Sequence, residues 1–219
     1  VLRTRRDARP LDDVALLVAQ VVLTAFVGVL LFSEGNMPFT ALDPRYVGAD
    51  GQLTGAAALW GMNALLEHWA MAIHPPTLFV GYAGLTVPFA YAIAALVVND
   101  DSPRWVVRCT PYAVFSWLLL GIGIGLGAVW AYVVLGWGGY WGWDPVENAS
   151  LLPWLVGVAL IHSLTVYRQR GAFKRWSVMC ACLTFAFVIL GTFITRSGLV
   201  QSVHAFEGDP VSLVLFLAL

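Results

Sequence analysis

Charged side chains are scarce in this sequence. Asp, Glu, Lys and Arg make up 11% of its 219 residues, against about 25% in a soluble domain. That shortfall excludes an ordinary water-solvated surface, and with 59% hydrophobic residues it makes lipid the main solvent. The net charge is -1, so no global field suggests nucleic acid as a partner, and none is expected. Cysteine is rare too. The three present, Cys109, Cys180 and Cys182, form no C-x-x-C pair. On a helix, Cys180 and Cys182 point about 200° apart, and all three read as small buried hydrophobes. No C-x-x-C-H occurs, which excludes the covalent haem attachment of a c-type cytochrome. An initiating methionine is also missing: the chain starts at Val1 and stops at Leu219, inside an apolar run that begins near 211. A span needs about 20 apolar residues, so the sequence reads as a piece of a longer protein.

Apolar runs and tryptophan are plentiful. Arg3, Arg5, Arg6 and Arg9 precede an apolar stretch from Val14 to Phe32. It is too long for a signal peptide core and no A-x-A-like site follows, so it predicts a transmembrane helix. Four more complete spans are predicted at 77–98, 111–135, 150–167 and 176–194, with a sixth cut short near 211. The expected fold class is all-α, a polytopic transmembrane helix bundle. Residues 1–219 are expected to form one transmembrane domain. Ten Lys and Arg fall on one side of these spans, at Arg3, Arg5, Arg6, Arg9, Arg104, Arg108, Arg168, Arg170, Lys174 and Arg175; only Arg45 and Arg196 fall on the other. The positive-inside rule makes the first side cytoplasmic. Segments 33–76, 136–149 and 195–210 then face outward. Within the first, Asp43-Pro44 and Asp50-Gly51 predict turns, and the interrupted apolar stretch from Leu53 to Ile73 predicts interfacial or re-entrant helix. Gly121, Gly123, Gly125 and Gly127 inside one span read as surfaces for close helix packing.

Chemistry concentrates outside. Residues 137–150 read Trp137-Gly-Gly-Tyr-Trp-Gly-Trp-Asp-Pro-Val-Glu-Asn-Ala-Ser150. Trp137, Trp141 and Trp143 with Tyr140 predict a flat aromatic platform that a planar ligand approaches through the intervening glycines. An interfacial aromatic belt is the plainer reading, though a belt needs neither the glycines nor the polar residues that follow. Asp144, Pro145 and Glu147 also have the spacing of a helix start, as N-cap, N1 and N3. His74, in His74-Pro75-Pro76, and His204 both emerge on this outer face. There the prolines are expected to end the preceding structure just before the span. Two neutral imidazoles can supply both axial ligands of a haem iron, while an isolated outer histidine is more often simply solvated. His162 lies within a span, about 18 Å along the helix from Ser150, where an ionisable residue is a functional hypothesis by default; bonding to a neighbouring helix is the alternative. Arg196 is placed to meet a carboxylate of a ligand or to pair with Glu207 or Asp209, and His68 reads as a surface or interhelical residue.

The stretch from Trp137 to Ser150 closely resembles the tryptophan-rich "WWD" signature of haem-handling membrane proteins. Its continuation through Pro145, Val146, Glu147 and Asn148 resembles the CcmF/NrfE branch, the cytochrome c haem lyase subunits. His74-Pro-Pro-Thr-Leu-Phe-Val-Gly-Tyr82, Ala159-Leu-Ile-His-Ser-Leu164, Thr195-Arg-Ser-Gly198 and Ser202-Val-His-Ala-Phe206 extend the likeness over about 60–210. Tyr140, Gly142 and Ala64 depart from the usual pattern. The resemblance implies that His74 and His204 ligate the haem to be attached. It implies that Trp137, Trp141, Trp143 and Asp144 belong to its binding segment. It also implies that His162 ligates a second haem, a non-covalent haem b, with a partner beyond Leu219. The activity implied is thioether-forming attachment of haem to an apocytochrome c. A haem-delivery chaperone and other maturation subunits are the implied partners, with membrane lipid around the bundle. The implied place is a bacterial or mitochondrial inner membrane. A haem carrier or exporter without ligation activity is the neighbouring alternative, which the Pro-Val-Glu-Asn text disfavours. A small-solute transporter is disfavoured because the spans offer little polar lining besides Gln20 and His162.

Overall fold

The computed structural model describes residues 9–32, 44–55, 57, 66–136, 139–204, 210, 213, 214 and 217. Helix α1 runs over Arg9–Phe32, α2 over Trp69–Gly84, α3 over Thr86–Val97, α4 over Arg104–Trp130, α5 over Pro145–Arg170 and α6 over Lys174–Arg196. Helices α2 and α3 are joined at Leu85 into one apolar stretch, Trp69–Val97. With it, five segments among the described residues are long and apolar enough to cross a membrane. The protein is therefore an all-α, multi-pass membrane protein. At about 1.5 Å per residue, the 24 residues of α1 reach about 36 Å, enough for a hydrocarbon core of about 30 Å. Leu16, Leu17, Val21 and Leu23 of α1 are each more than half exposed, as a lipid-facing helix requires. The predicted sixth span lies largely outside the described residues.

Chain punctuation follows local chemistry. Helix α4 runs on into a π-helical turn, Ala131–Leu135, and stops at Gly136, whose φ of 66° is left-handed. Gly171, φ 67°, ends α5 with its N–H on the Tyr167 carbonyl, and the chain turns straight into α6. Between 44 and 55, Gly51 at φ 76° closes a small turn, with Val47 bridged to Leu53.

Two expectations are corrected here. The second span begins at Trp69 rather than 77, and the outer segment is correspondingly shorter. His74, Pro75 and Pro76 sit inside α2 rather than ahead of it. The prolines lack the N–H groups that would bond the Met71 and Ala72 carbonyls, but those carbonyls lie within one turn of the helix start, at the edge of the span. Thr77 Oγ1 donates to the Ile73 carbonyl at 2.7 Å. The helix starts early because His68 caps it: its Nδ1 accepts from the Ala70 amide at 3.2 Å. The segment read as interfacial, 53–73, is thus helical within the span from 69 onward, and most of the remainder lies outside the described residues.

Ion pairs gather at one end of the bundle. There Arg108 pairs with Asp12 at 3.3 Å, Lys174 pairs with Asp101, and the Tyr91 hydroxyl donates to Asp12 at 3.0 Å. Small residues (Ala90, Ala92, Ala94, Ala95) pack there around Trp105, Leu160 and Leu164. At the opposite end lie His74, the start of α5 and the end of α6.

Candidate functional site

Helix α5 begins as its sequence predicts. Asp144 is the N-cap, its Oδ2 accepting from the Val146 amide at 3.0 Å, and Pro145 opens the helix. Glu147 completes the capping box: its Oε2 accepts from the Asp144 amide at 3.2 Å and from the Gly142 amide at 3.0 Å. These two hydrogen bonds hold residues 142–144 back on the helix, and Trp143 between them takes a left-handed φ of 58°.

The same Asp144 oxygen holds residues far along the chain. The Ser202 hydroxyl donates to it at 2.6 Å, and His204 Nδ1 lies 3.1 Å from it. Ser202 Oγ in turn accepts from the His204 amide at 2.9 Å. Burial is the largest single influence on Asp144 and opposes its charge. The Ser202 hydroxyl, the Val146 amide and the His204 ring together outweigh it and hold the carboxyl below the usual carboxylate range. A carboxylate only accepts, so His204 carries its proton on Nδ1 and, when neutral, presents its lone pair on Nε2.

His74 is fixed the same way by a different partner. Its Nδ1 lies 2.7 Å from the Gly123 carbonyl, which also only accepts, so Nε2 again carries the lone pair. The ring lies against Trp130, centroids 5.9 Å apart. Glycines make this possible. A Cβ on Gly127 would stand 2.6 Å from His74 Cε1, and one on Gly123 would stand 2.8 Å from the Leu78 Cα. The packing role expected of the glycine row holds for Gly121, Gly123 and Gly127, while Gly125 has nothing within 4 Å.

His74 and His204 line a single cavity of about 740 Å³, together with Trp130, Trp141, Glu147 and Arg196. Its deeper wall is apolar, formed by α1, α2 and α6 through residues such as Phe26, Leu78 and Phe185. This is the size and character of a small-molecule or cofactor site. Two imidazoles, each with Nδ1 tied back, thus share one largely apolar cavity. Arg196 lines the same cavity.

The aromatic residues do not form one flat platform. The Trp141 and Trp143 rings meet edge to face at 6.4 Å and 85°. Trp141 lines the cavity; Trp143 is 73% exposed and does not. Tyr140 stacks on Tyr132 instead, at 4.4 Å. Trp137 lies outside the described residues, as do Glu207 and Asp209. His162 stands apart from the cavity. It is exposed on α5, towards the charged end, beside a shallow groove of about 200 Å³ with Phe173, Trp176 and Cys180.

Sequence reasoning missed three parts of the site: the Asp144–His204 contact, its support by Ser202, and the Gly127 cradle. The first two join residues about sixty positions apart, and no local pattern announces such a contact. The Gly127 cradle had a signal, the glycine row itself, but not the identity of what packs there.

Comparison with known proteins identifies the family. Residues 12–201 match the family described as Cytochrome C assembly protein. The cytochrome c-type biogenesis protein CcmF of Pseudomonas aeruginosa is 46% identical over 203 residues, covering 93% of this chain and 29% of that protein. CcmF of Escherichia coli is 42% identical over 95% of this chain and 31% of its own length. NrfE of Haemophilus influenzae is 48% identical over 72% of this chain and 26% of its own. A solved structure, the cytochrome c haem lyase CcmF, superposes with a TM-score of 0.67 at 34% identity, over 94% of this chain and 30% of that one. The chain thus spans about 30% of the length of these relatives. With a family match over residues 12–201 and relatives more than 40% identical over most of its length, the chain belongs to the cytochrome c assembly protein family.

Proposed function

We propose that this chain is the haem-binding part of a cytochrome c haem lyase. It holds haem on the outer face of a bacterial or mitochondrial inner membrane for attachment to apocytochrome c. The observation that supports this reading is the cavity lined by both His74 and His204, each imidazole held through Nδ1 with its lone pair on Nε2. Trp141 and Trp130 wall the porphyrin, Asp144 sets His204, and Arg196 meets a propionate. Trp137 and Trp143 complete the segment around it. A haem-delivery chaperone brings the substrate, and further maturation subunits present the apocytochrome. Residues 1–219 act as one transmembrane domain.

The chemistry is addition. Each cysteine thiol of the apocytochrome adds across a haem vinyl group, forming one C–S bond, while the thiol proton passes to the other vinyl carbon. No acid–base pair is needed from this chain. Its residues supply proximity and orientation: two ligands fix the haem, and apolar walls exclude water. His162 fits one ligand of a haem b. It sits on an exposed helix face, and the other three histidines lie at the opposite end of the bundle. Its partner therefore comes from outside these helices.

The test is the absorption spectrum of the purified full-length protein, oxidised and reduced. A low-spin outer-site haem that disappears in the His74→Ala/His204→Ala double variant and persists in His162→Ala is the expected result. Haem that survives the double variant and depends wholly on His162 overturns the assignment.

A further inference from the structure

The two imidazoles of the cavity are backed by unlike groups. His74 leans on a neutral backbone carbonyl, Gly123, at 2.7 Å. His204 leans on a carboxylate, Asp144, at 3.1 Å, and only 11% of that side chain is exposed. The carboxylate cannot swing away, because the same oxygen is held by the Val146 amide at 3.0 Å and the Ser202 hydroxyl at 2.6 Å. Ser202 also fixes the His204 backbone, at 2.9 Å from its amide. Asp144 thus ties the ligand to the rigid start of α5.

We propose that Asp144, braced by Ser202, is a positioning residue that makes His204 the stronger of two unequal axial ligands of a haem iron. The proposal rests on the haem reading above. A full negative charge behind Nδ1–H gives the ring partial imidazolate character and makes Nε2 a better donor. The Gly123 carbonyl does this only weakly for His74. Outer partners of this kind typically change metal affinity about ten- to hundredfold. A stronger donor also favours ferric over ferrous iron, so Asp144 holds the reduction potential of the site down. The inequality has a consequence for release. When an incoming imidazole competes for the iron, His74 is the ligand it displaces, and His204 keeps hold of the haem.

The test uses Asp144→Asn and Ser202→Ala in the full-length protein, with His204→Ala as reference. Asparagine still caps a helix, so the start of α5 survives while the charge is removed. The expected result for Asp144→Asn is roughly ten- to hundredfold weaker haem binding. A raised reduction potential, a retained low-spin band and unchanged thermal stability should accompany it. Ser202→Ala shifts affinity and potential in the same direction by less. Wild-type affinity and potential in Asp144→Asn, alongside loss of outer haem in His204→Ala, overturn this inference and leave the haem reading intact. If His204→Ala leaves the outer haem spectrum unchanged, the haem reading fails and takes the inference with it. Should Asp144→Asn not fold, Ser202→Ala decides: an unmoved potential overturns the proposal.

Discussion

Replacing Gly127 by alanine puts a methyl carbon 2.6 Å from His74 Cε1 and 3.1 Å from both ring nitrogens. Comfortable carbon contacts lie at about 3.5–4.0 Å, so something must move by about 1 Å. Two relaxations are available. If the ring stays, α2 and α4 part locally, at the usual overpacking cost of about 1–3 kcal/mol. If the ring turns away, it gives up the Gly123 bond, worth about 0.5–1.5 kcal/mol, and Nε2 leaves its ligating direction. Either route falls on haem binding, and 1–3 kcal/mol corresponds to roughly five- to 150-fold in affinity. Gly125→Ala is the control. It lies in the same helix, gains the same helix propensity of about 0.5–1 kcal/mol, and its new methyl meets nothing within 4 Å. Haem titration of both full-length variants, followed by the low-spin absorption band, measures the difference. Equal affinity in the two variants would refute the claim that Gly127 makes room for a ligating His74.

Gly81→Ala is expected to act on stability rather than on the site. Its Cβ would stand 2.6 Å from the Leu120 amide nitrogen and 2.8 Å from its Cα, and backbone cannot rotate aside. Thermal unfolding in detergent should show a loss of about 1–3 kcal/mol, absent in Gly28→Ala, which has open space. The loop between α3 and α4 is expected to loosen in acid. Burial opposes the charge of Asp100, but the Ser102 hydroxyl and amide and the Arg104 guanidinium hold its carboxyl below the usual range. Its contribution is therefore complete above the unfolded value of about 3.9 and is lost as pH falls through the lower folded value. Hydrogen exchange of the Ser102 amide, bonded to Asp100 at 2.9 Å, should quicken only in that window. Asp100→Asn should abolish the step.

Span number, their alternation and the start of α5 were legible in the sequence because each depends on neighbours. A run of apolar residues identifies its own solvent, and Asp144, Pro145 and Glu147 complete a cap within four positions. The start of α2 was misread for a related reason. Two adjacent prolines signal a break when only the chain is considered, yet the helix absorbs them near its end and His68 supplies an unexpected cap. His74 and His204 could be assigned to one face by counting spans and charges. Their enclosure in one cavity could not be, since it depends on Gly127 facing His74 across two helices and on Asp144 reaching His204. Such contacts are set by the register between helices, which composition and periodicity leave open.

The tryptophans show how much that register decides. By sequence, Trp141 and Trp143 are equivalent members of one aromatic segment. In the fold, Glu147 binds the Gly142 and Asp144 amides, the chain reverses at Trp143, and the rings stand at 85°. Trp141 faces the cavity while Trp143 is 73% exposed. Trp143 can then act on bound haem only through its contact with Trp141, and an aromatic pair of this geometry is worth about 0.5–1.5 kcal/mol. Truncating Trp141 removes a wall of the cavity itself, with a buried aromatic face worth about 1.5–3 kcal/mol. Trp141→Ala should therefore weaken haem binding several-fold more than Trp143→Ala in the purified protein. If the two losses are equal, the turn at 142–144 does not divide their roles, and the segment binds haem as a single surface. If Trp143→Ala instead spares haem affinity but lowers attachment to an added apocytochrome, its exposed ring belongs to the face that meets the partner chain.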